Sequence, residues 1–148
     1  MRRFAAVALA AGTMMTGMAV VGAPADATVT TKAAAKSWAP YNSYANISAW
    51  GTYTRTSSTV TVKGYLADGK KNGWTACVRF LFTEGNLRYW SRHKIVGIDR
   101  NGNQYNYDGA AKVAIKTSSS YTGHLYVQEC GRNKKTGKYA YGKSKRIF

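Results

Sequence analysis

Residues 74–82, Trp74-Thr75-Ala76-Cys77-Val78-Arg79-Phe80-Leu81-Phe82, alternate between two sets of side chains. A β-strand sends successive residues to opposite faces. Trp74, Ala76, Val78, Phe80 and Phe82 therefore define a core face, and Thr75, Cys77, Arg79 and Leu81 an outward one. Lys70-Lys71-Asn72-Gly73 precedes the stretch and Glu84-Gly85-Asn86 follows it, both rich in residues that tolerate tight-turn backbone angles. The spacing predicts a central strand flanked by hairpins.

Alternation recurs on both sides. Ile47–Arg55 and Ser58–Ala67 are strand candidates, and in the second Val60, Val62, Gly64 and Leu66 share a face against Thr59, Thr61, Lys63 and Tyr65. That is the pattern of a half-buried antiparallel strand. Leu87–Ile98 continues the meander, with Leu87, Tyr89 and Ile95 inward and Arg88, Trp90, Arg92 and Lys94 outward. A polar loop, Asp99–Gly109, leads to a short strand over Ala111–Thr117 that turns Val113 and Ile115 inward. In Tyr121–Cys130, Tyr121, Leu125 and Val127 face the core while His124, Tyr126, Gln128 and Cys130 face out. Gly131–Lys138 reads as a basic hairpin loop and Tyr139–Phe148 as the last strand. About seven short strands with regular turn signals and no helical period predict an all-β fold. The expected architecture is an antiparallel β-sandwich, immunoglobulin-like or small barrel-like.

The N-terminus has a different character. Met1-Arg2-Arg3, an apolar run broken by Gly12, Thr13, Gly17 and Gly22, and the small-residue site Ala25-Asp26-Ala27 predict a secretory signal peptide over residues 1–27. Residues 28–45 then read as a flexible leader, with Trp38 and Tyr41 as anchors to the domain or to a partner, and residues 46–148 as the sandwich domain. No later segment is apolar enough to span a bilayer as a helix. Cys77 and Cys130, the two cysteines, predict a disulfide in an extracellular protein. Both have outward parity, which favours a bridge between neighbouring strands on one outer face over an inward, inter-sheet bridge.

Lysine and arginine number 22 against 6 acidic residues, a formal charge of +16 that becomes +15 once Arg2, Arg3 and Asp26 are removed. Such an excess favours polyanionic partners: an anionic cell-envelope polymer, an acidic secreted protein, or nucleic acid held without sequence specificity. The principal candidate surface joins Arg79, Arg88, Trp90, Arg92 and Lys94, extended by His124, Tyr126 and Gln128 if their strand lies alongside. Interleaved cationic and aromatic groups suit phosphate contact with stacking, or a sugar ring on Trp90. A solvated face that merely tolerates positive charge is the competing interpretation. A second basic group comprises Arg132, Lys134, Lys135, Lys138, Lys143, Lys145 and Arg146.

The chemistry of cofactors and catalysis finds little to stand on. Asp99, Asn101 and Asn103 alternate like calcium ligands, but Gly102 and Ala110 occupy the wrong places for an EF-hand. No metal or cofactor is expected. His93, His124, Glu84 and Glu129 are the possible acid–base groups of a small basic nuclease, yet His93 shares the core parity, and His124 and Glu129 have opposite parities. No GxSxG elbow is present.

The segments VKGYLADGKKNGWTACVRFLF (62–82) and YVQEC (126–130), with the signal peptide and the Cys77/Cys130 pair, resemble small secreted β-sandwich proteins of actinobacteria. In size and layout the chain is also similar to the adaptor subunits of umbrella toxin particles, whose extended arm would correspond to Thr28–Ser43. The expected function is a secreted, non-enzymatic binding module that contacts an anionic surface polymer or acidic protein. A structural adaptor that uses its N-terminal arm, and a small basic nuclease, are the alternatives.

Overall fold

A computed structural model describes residues 33–98, 101 and 112–148. The predicted signal peptide, the start of the leader and the loop Asp99–Gly109 other than Asn101 lie outside the described residues. The strands are β1 (Lys36–Trp38), β2 (Ile47–Arg55), β3 (Val60–Asp68), β4 (Trp74–Glu84), β5 (Leu87–Trp90), β6 (Lys94–Ile95), β7 (Lys112–Ser119), β8 (His124–Asn133) and β9 (Tyr139–Arg146). Antiparallel pairing gathers them into a first sheet of order β1-β2-β3-β7 and a second of order β5-β4-β8-β9, with β6 also on β4. The protein is an all-β sandwich with one disulfide.

β4 is central as its sequence predicts, with a hairpin to β5 after it, but the turn before it crosses from the first sheet to the second and closes no hairpin with β3. β8 pairs with β4 from Trp74↔Asn133 to Thr83↔His124, while β5 and then β6 pair along its other side. Its inward residues Ala76, Val78, Phe80 and Phe82 are fully buried and meet Val60, Val62 and Leu66 of β3 and Leu125 and Val127 of β8 in one core. Burying each such large side chain is worth roughly 1.5–3 kcal/mol. The carboxylate of Asp68 joins β3 to β4: its Oδ2 accepts from Ala76 N–H at 3.0 Å and its Oδ1 from Lys70 N–H at 3.1 Å.

Part of the expected leader belongs to the sandwich. Residues 36–38 form β1 and pair with Tyr53, Thr52 and Gly51 of β2. Trp38 is 3% exposed, packs edge-on to Phe80 of the opposite sheet at 5.0 Å, and donates its indole N–H to the Lys63 carbonyl at 3.0 Å. Space for this ring comes from a paired Gly51 and Gly64: a Cβ on Gly64 would lie 2.8 Å from Trp38 Cζ2 and collide with the Trp50 carbonyl oxygen. Composition alone concealed β1, because the strand is three residues long and only Trp38 in it is buried.

The stretch predicted as one strand over Leu87–Ile98 is broken. Ser91 still faces Phe80, since its N–H donates to the Phe80 carbonyl and its Oγ accepts from Phe80 N–H. Lys94 then pairs with Val78, so Arg92 and His93 together oppose Arg79. One extra residue in a strand inverts the parity beyond it. Past the bulge Val96 is buried in the core, Lys94 takes the inward parity, and His93 and Ile95 take the outward one, the reverse of the expectation from simple alternation. Leu87 and Tyr89 keep their inward parity but are 57% and 44% exposed, because β5 is an edge strand of the second sheet.

Candidate functional site: the outer face of the second sheet

Pairing registers lay the outward residues of the second sheet in rows across the strands. From one end these are Arg88–Thr83–His124, Trp90–Leu81–Tyr126–Arg146, Arg79–Gln128–Ser144, Ile95–Cys77–Cys130–Tyr141, and Thr75–Arg132–Tyr139. Arg79, Arg88, Trp90, His124 and Tyr126, all anticipated from parity, therefore share one surface. Arg92 is exposed within the bulge. Lys94 leaves the face, for the reason just given.

Arg79 is the centre of the surface. Its guanidinium carbon lies 3.9 Å from the centroid of Trp90 and 4.0 Å from that of Tyr141, and its Nε donates to Gln128 Oε1 at 2.9 Å. Gln128 is itself held, its Nε2 donating to the Gly142 carbonyl at 2.8 Å. Each ring–cation contact contributes about 0.5–2 kcal/mol, more as water is excluded. Trp90 and Tyr141 remain 37% and 41% exposed. The Nη atoms of Arg79 have no partner among the described residues, so the donor end of the fork is open to a ligand.

His93 closes the neighbouring row. Its ring stacks on Tyr139 with centroids 4.4 Å apart and 21° between planes, and its Nε2 is 3.2 Å from the Tyr141 hydroxyl. Because β4 and β8 lie between β6 and β9, the His93 and Tyr139 rings meet above those strands, and Cys77 and Cys130 on them are fully buried although they lie on an outer face. The disulfide links directly opposed residues of these neighbouring strands, with Cα atoms 4.8 Å apart, as the outward parity of both cysteines implied. Burial first, and the charge of Arg79 second, hold His93 below the usual histidine pKa, which favours the neutral ring.

A second irregularity, in β9, brings in the tyrosines. Gln128 pairs with Ser144 but Cys130 with Tyr141, so Gly142 and Lys143 together oppose Glu129. Tyr139 and Tyr141 thereby share the outer face with Ser144 and Arg146, across a parity change. Neither tyrosine stood out in the sequence as a site residue. The one available signal was the Tyr-x-Tyr spacing, which is common to many half-buried strands.

The second basic group is dispersed. Lys134, Lys135 and Lys138 are exposed around the β8–β9 turn, near Arg132 at the end of the outer face. At the far end Arg146 Nη2 lies 2.9 Å from His124 Nδ1, extending the main surface. Lys143 is exposed in the bulge, and Lys145 turns towards the N-terminal segment, 3.5 Å from the Pro40 carbonyl and 5.6 Å from the Tyr41 ring centroid.

Acidic groups do not offset this charge. Among the described residues Asp68 and Glu129 are buried, and Glu84 is exposed at the end of β4. Backbone N–H donation from Thr122 lowers the Glu84 pKa and keeps it ionised. Glu129 faces inward, away from His124, as parity predicted. It accepts the Ser43 N–H on Oε2 at 2.6 Å, while Oε1 has no hydrogen-bond partner among the described residues. Burial raises its pKa, against the opposing effect of the Ser43 hydrogen bond. No cluster of three His, Cys, Asp or Glu side chains suited to a metal occurs among the described residues. Among the described residues no helix is long and apolar enough to cross a membrane.

No protein-family model matches the chain, and neither does any curated protein or solved structure.

Proposed function

We propose that this is a secreted, non-enzymatic binding module that holds an anionic polymer of the cell envelope on the outer face of the second sheet. The observation that carries the proposal is Arg79, fixed between two exposed rings with its Nη donors open, on a face whose rows contain no carboxylate. A guanidinium oriented in advance loses little entropy on meeting phosphate or carboxylate. Trp90 and Tyr141 on either side offer apolar surface to the sugar or other ring of the polymer backbone. Arg88, Arg132 and Arg146 prolong the positive track along the face.

The test is binding of a phosphodiester-rich wall polymer by the protein and by Arg79→Ala at several salt concentrations. Arg79→Ala weakens binding roughly tenfold and flattens the salt dependence by about one released counterion. Unfolding curves of both proteins confirm that the variant is folded. Equal binding by the two removes this face as the site, and selective, salt-resistant capture of an acidic protein replaces the polymer as partner.

A further inference from the structure

The outer face of the first sheet has features of its own that the preceding proposal does not use. Register places Trp50–Tyr65–Ala114 in one row and Thr52–Lys63–Lys116 in the next. Between the rows the floor is backbone only, at Gly51, Gly64 and Ile115. Same-face rows in a strand stand about 7 Å apart. The result is a trough running across the strands, with rings on one wall and ammonium groups on the other.

Several observations converge on a ligand that has both ring faces and negative charge. Trp50 and Tyr65 are 39% and 50% exposed, with centroids 6.1 Å apart and planes tilted by 38°, a broad apolar surface and not a slot into which a base could slide. Among the described residues, Lys63 Nζ and Lys116 Nζ have no hydrogen-bond or ionic partner. A third lysine, Lys112, sits 5.7 Å from the Trp50 ring. No acidic residue and no arginine occupies an outward position in these strands, so point charges and hydroxyls, including Thr52, replace the planar fork of the other face. Lysines suit dispersed sulfate or carboxylate groups, and the rings suit the C–H faces of sugars.

We infer that this trough is a second binding site, for an acidic polysaccharide whose sugar rings rest on Trp50 and Tyr65 and whose charged groups meet Lys63 and Lys116. The site stands without the proposal for the second sheet. Because the two sheets pack inner face to inner face, their outer surfaces point away from one another, and a protein with both sites is bivalent and cross-links long polymer chains.

Indole N–H resonances separate the two faces, since Trp50 lies on one, Trp90 on the other, and Trp38 and Trp74 on the inward side. The probe is a sulfated hexasaccharide, titrated against its desulfated, carboxyl-reduced counterpart and a single-stranded oligonucleotide. The sulfated probe shifts the Trp50 indole both in the wild type and in Arg79→Ala/Trp90→Ala. Lys63→Gln/Lys116→Gln, which changes only exposed ends, weakens that shift about tenfold. With a long sulfated polysaccharide the wild type forms turbid networks and Trp50→Ala does not. A Trp50 signal that stays still at saturation overturns the inference, and movement of Trp90 in the same titration leaves the second-sheet reading intact. An equal response to the uncharged sugar overturns the acidic class, and a stronger response to the oligonucleotide overturns the polysaccharide.

Discussion

On the second sheet a guanidinium is clamped between two rings and a glutamine, whereas on the first sheet the lysines beside Trp50 and Tyr65 end in solvent. Both faces are aromatic and basic, and among the described residues no outward strand position on either carries an acid. They differ in how much order exists before anything binds. A lysine side chain carries about 2 kcal/mol of rotamer entropy to lose, while a stacked, hydrogen-bonded arginine has already lost it. The second sheet is thus built for orientation and the first for attraction. Its order has identifiable sources: a cross-strand disulfide and His93 laid across it towards β9.

Removing that staple gives the largest expected effect. The loop closed between Cys77 and Cys130 spans 53 residues, for which chain entropy predicts a stability loss of about 4 kcal/mol in Cys77→Ala/Cys130→Ala, read from urea unfolding. The comparison sharpens if Trp90 and Tyr141 resonances broaden while Trp50 stays sharp. Equal broadening on both sheets breaks it, because the disulfide then supports the sandwich as a whole and not the face above it.

Gly64→Ala probes the first sheet from beneath. The added Cβ meets Trp38 and the Trp50 carbonyl, both parts of the packed structure with little room to yield. Overpacking of this kind costs about 1–3 kcal/mol. The expected outcome is a lower urea midpoint with displaced Trp50 and Tyr65 signals and unchanged Trp90 signals. An unaltered midpoint would show that the glycine pair is not what seats Trp38.

The smallest effect concerns Glu129 on the inner side of the second sheet. Burial lifts its folded pKa above the ordinary value of 4.5, so between the two values the folded state binds more protons than the unfolded one. Wild-type stability from this group is present below the unfolded pKa and is lost as pH rises through the raised folded value. Glu129→Gln, neutral throughout, therefore gains on the wild type between pH 4 and 7 in paired thermal melts. A constant difference across that range would mean that the carboxyl titrates normally.

Much of the fold was legible because it depends on period. Ile47–Arg55 has the same bounds in sequence and structure, and the inward set of β4 is the core set, with Trp74 partly exposed at its end. The link between neighbouring strands followed from the parity of two cysteines. The candidate site was legible only as far as the first irregularity. Up to Trp90 the outward residues are as read; beyond it a single extra residue exchanges His93 for Lys94 on the outer face. Alternation carries no signal for such a slip, since Arg92, His93, Lys94 and Ile95 fit either register until Val96 is seen to be buried. The dispersal of the second basic group has a similar origin, in a bulge opposite Glu129 that separates Tyr141 from Ser144.

By itself, then, the amino-acid order determined that this protein is a disulfide-linked antiparallel sandwich with an excess of positive charge, because period-two burial and formal charge are local properties. Tertiary structure alone decided which cations have aromatic neighbours. The Trp90–Arg79–Tyr141 arrangement joins three strands, and the trough on the other sheet joins three more, through registers and bulges set by how the two sheets close over Trp38 and Phe80. Those registers depend on packing between residues far apart in the chain, which no single stretch of it contains.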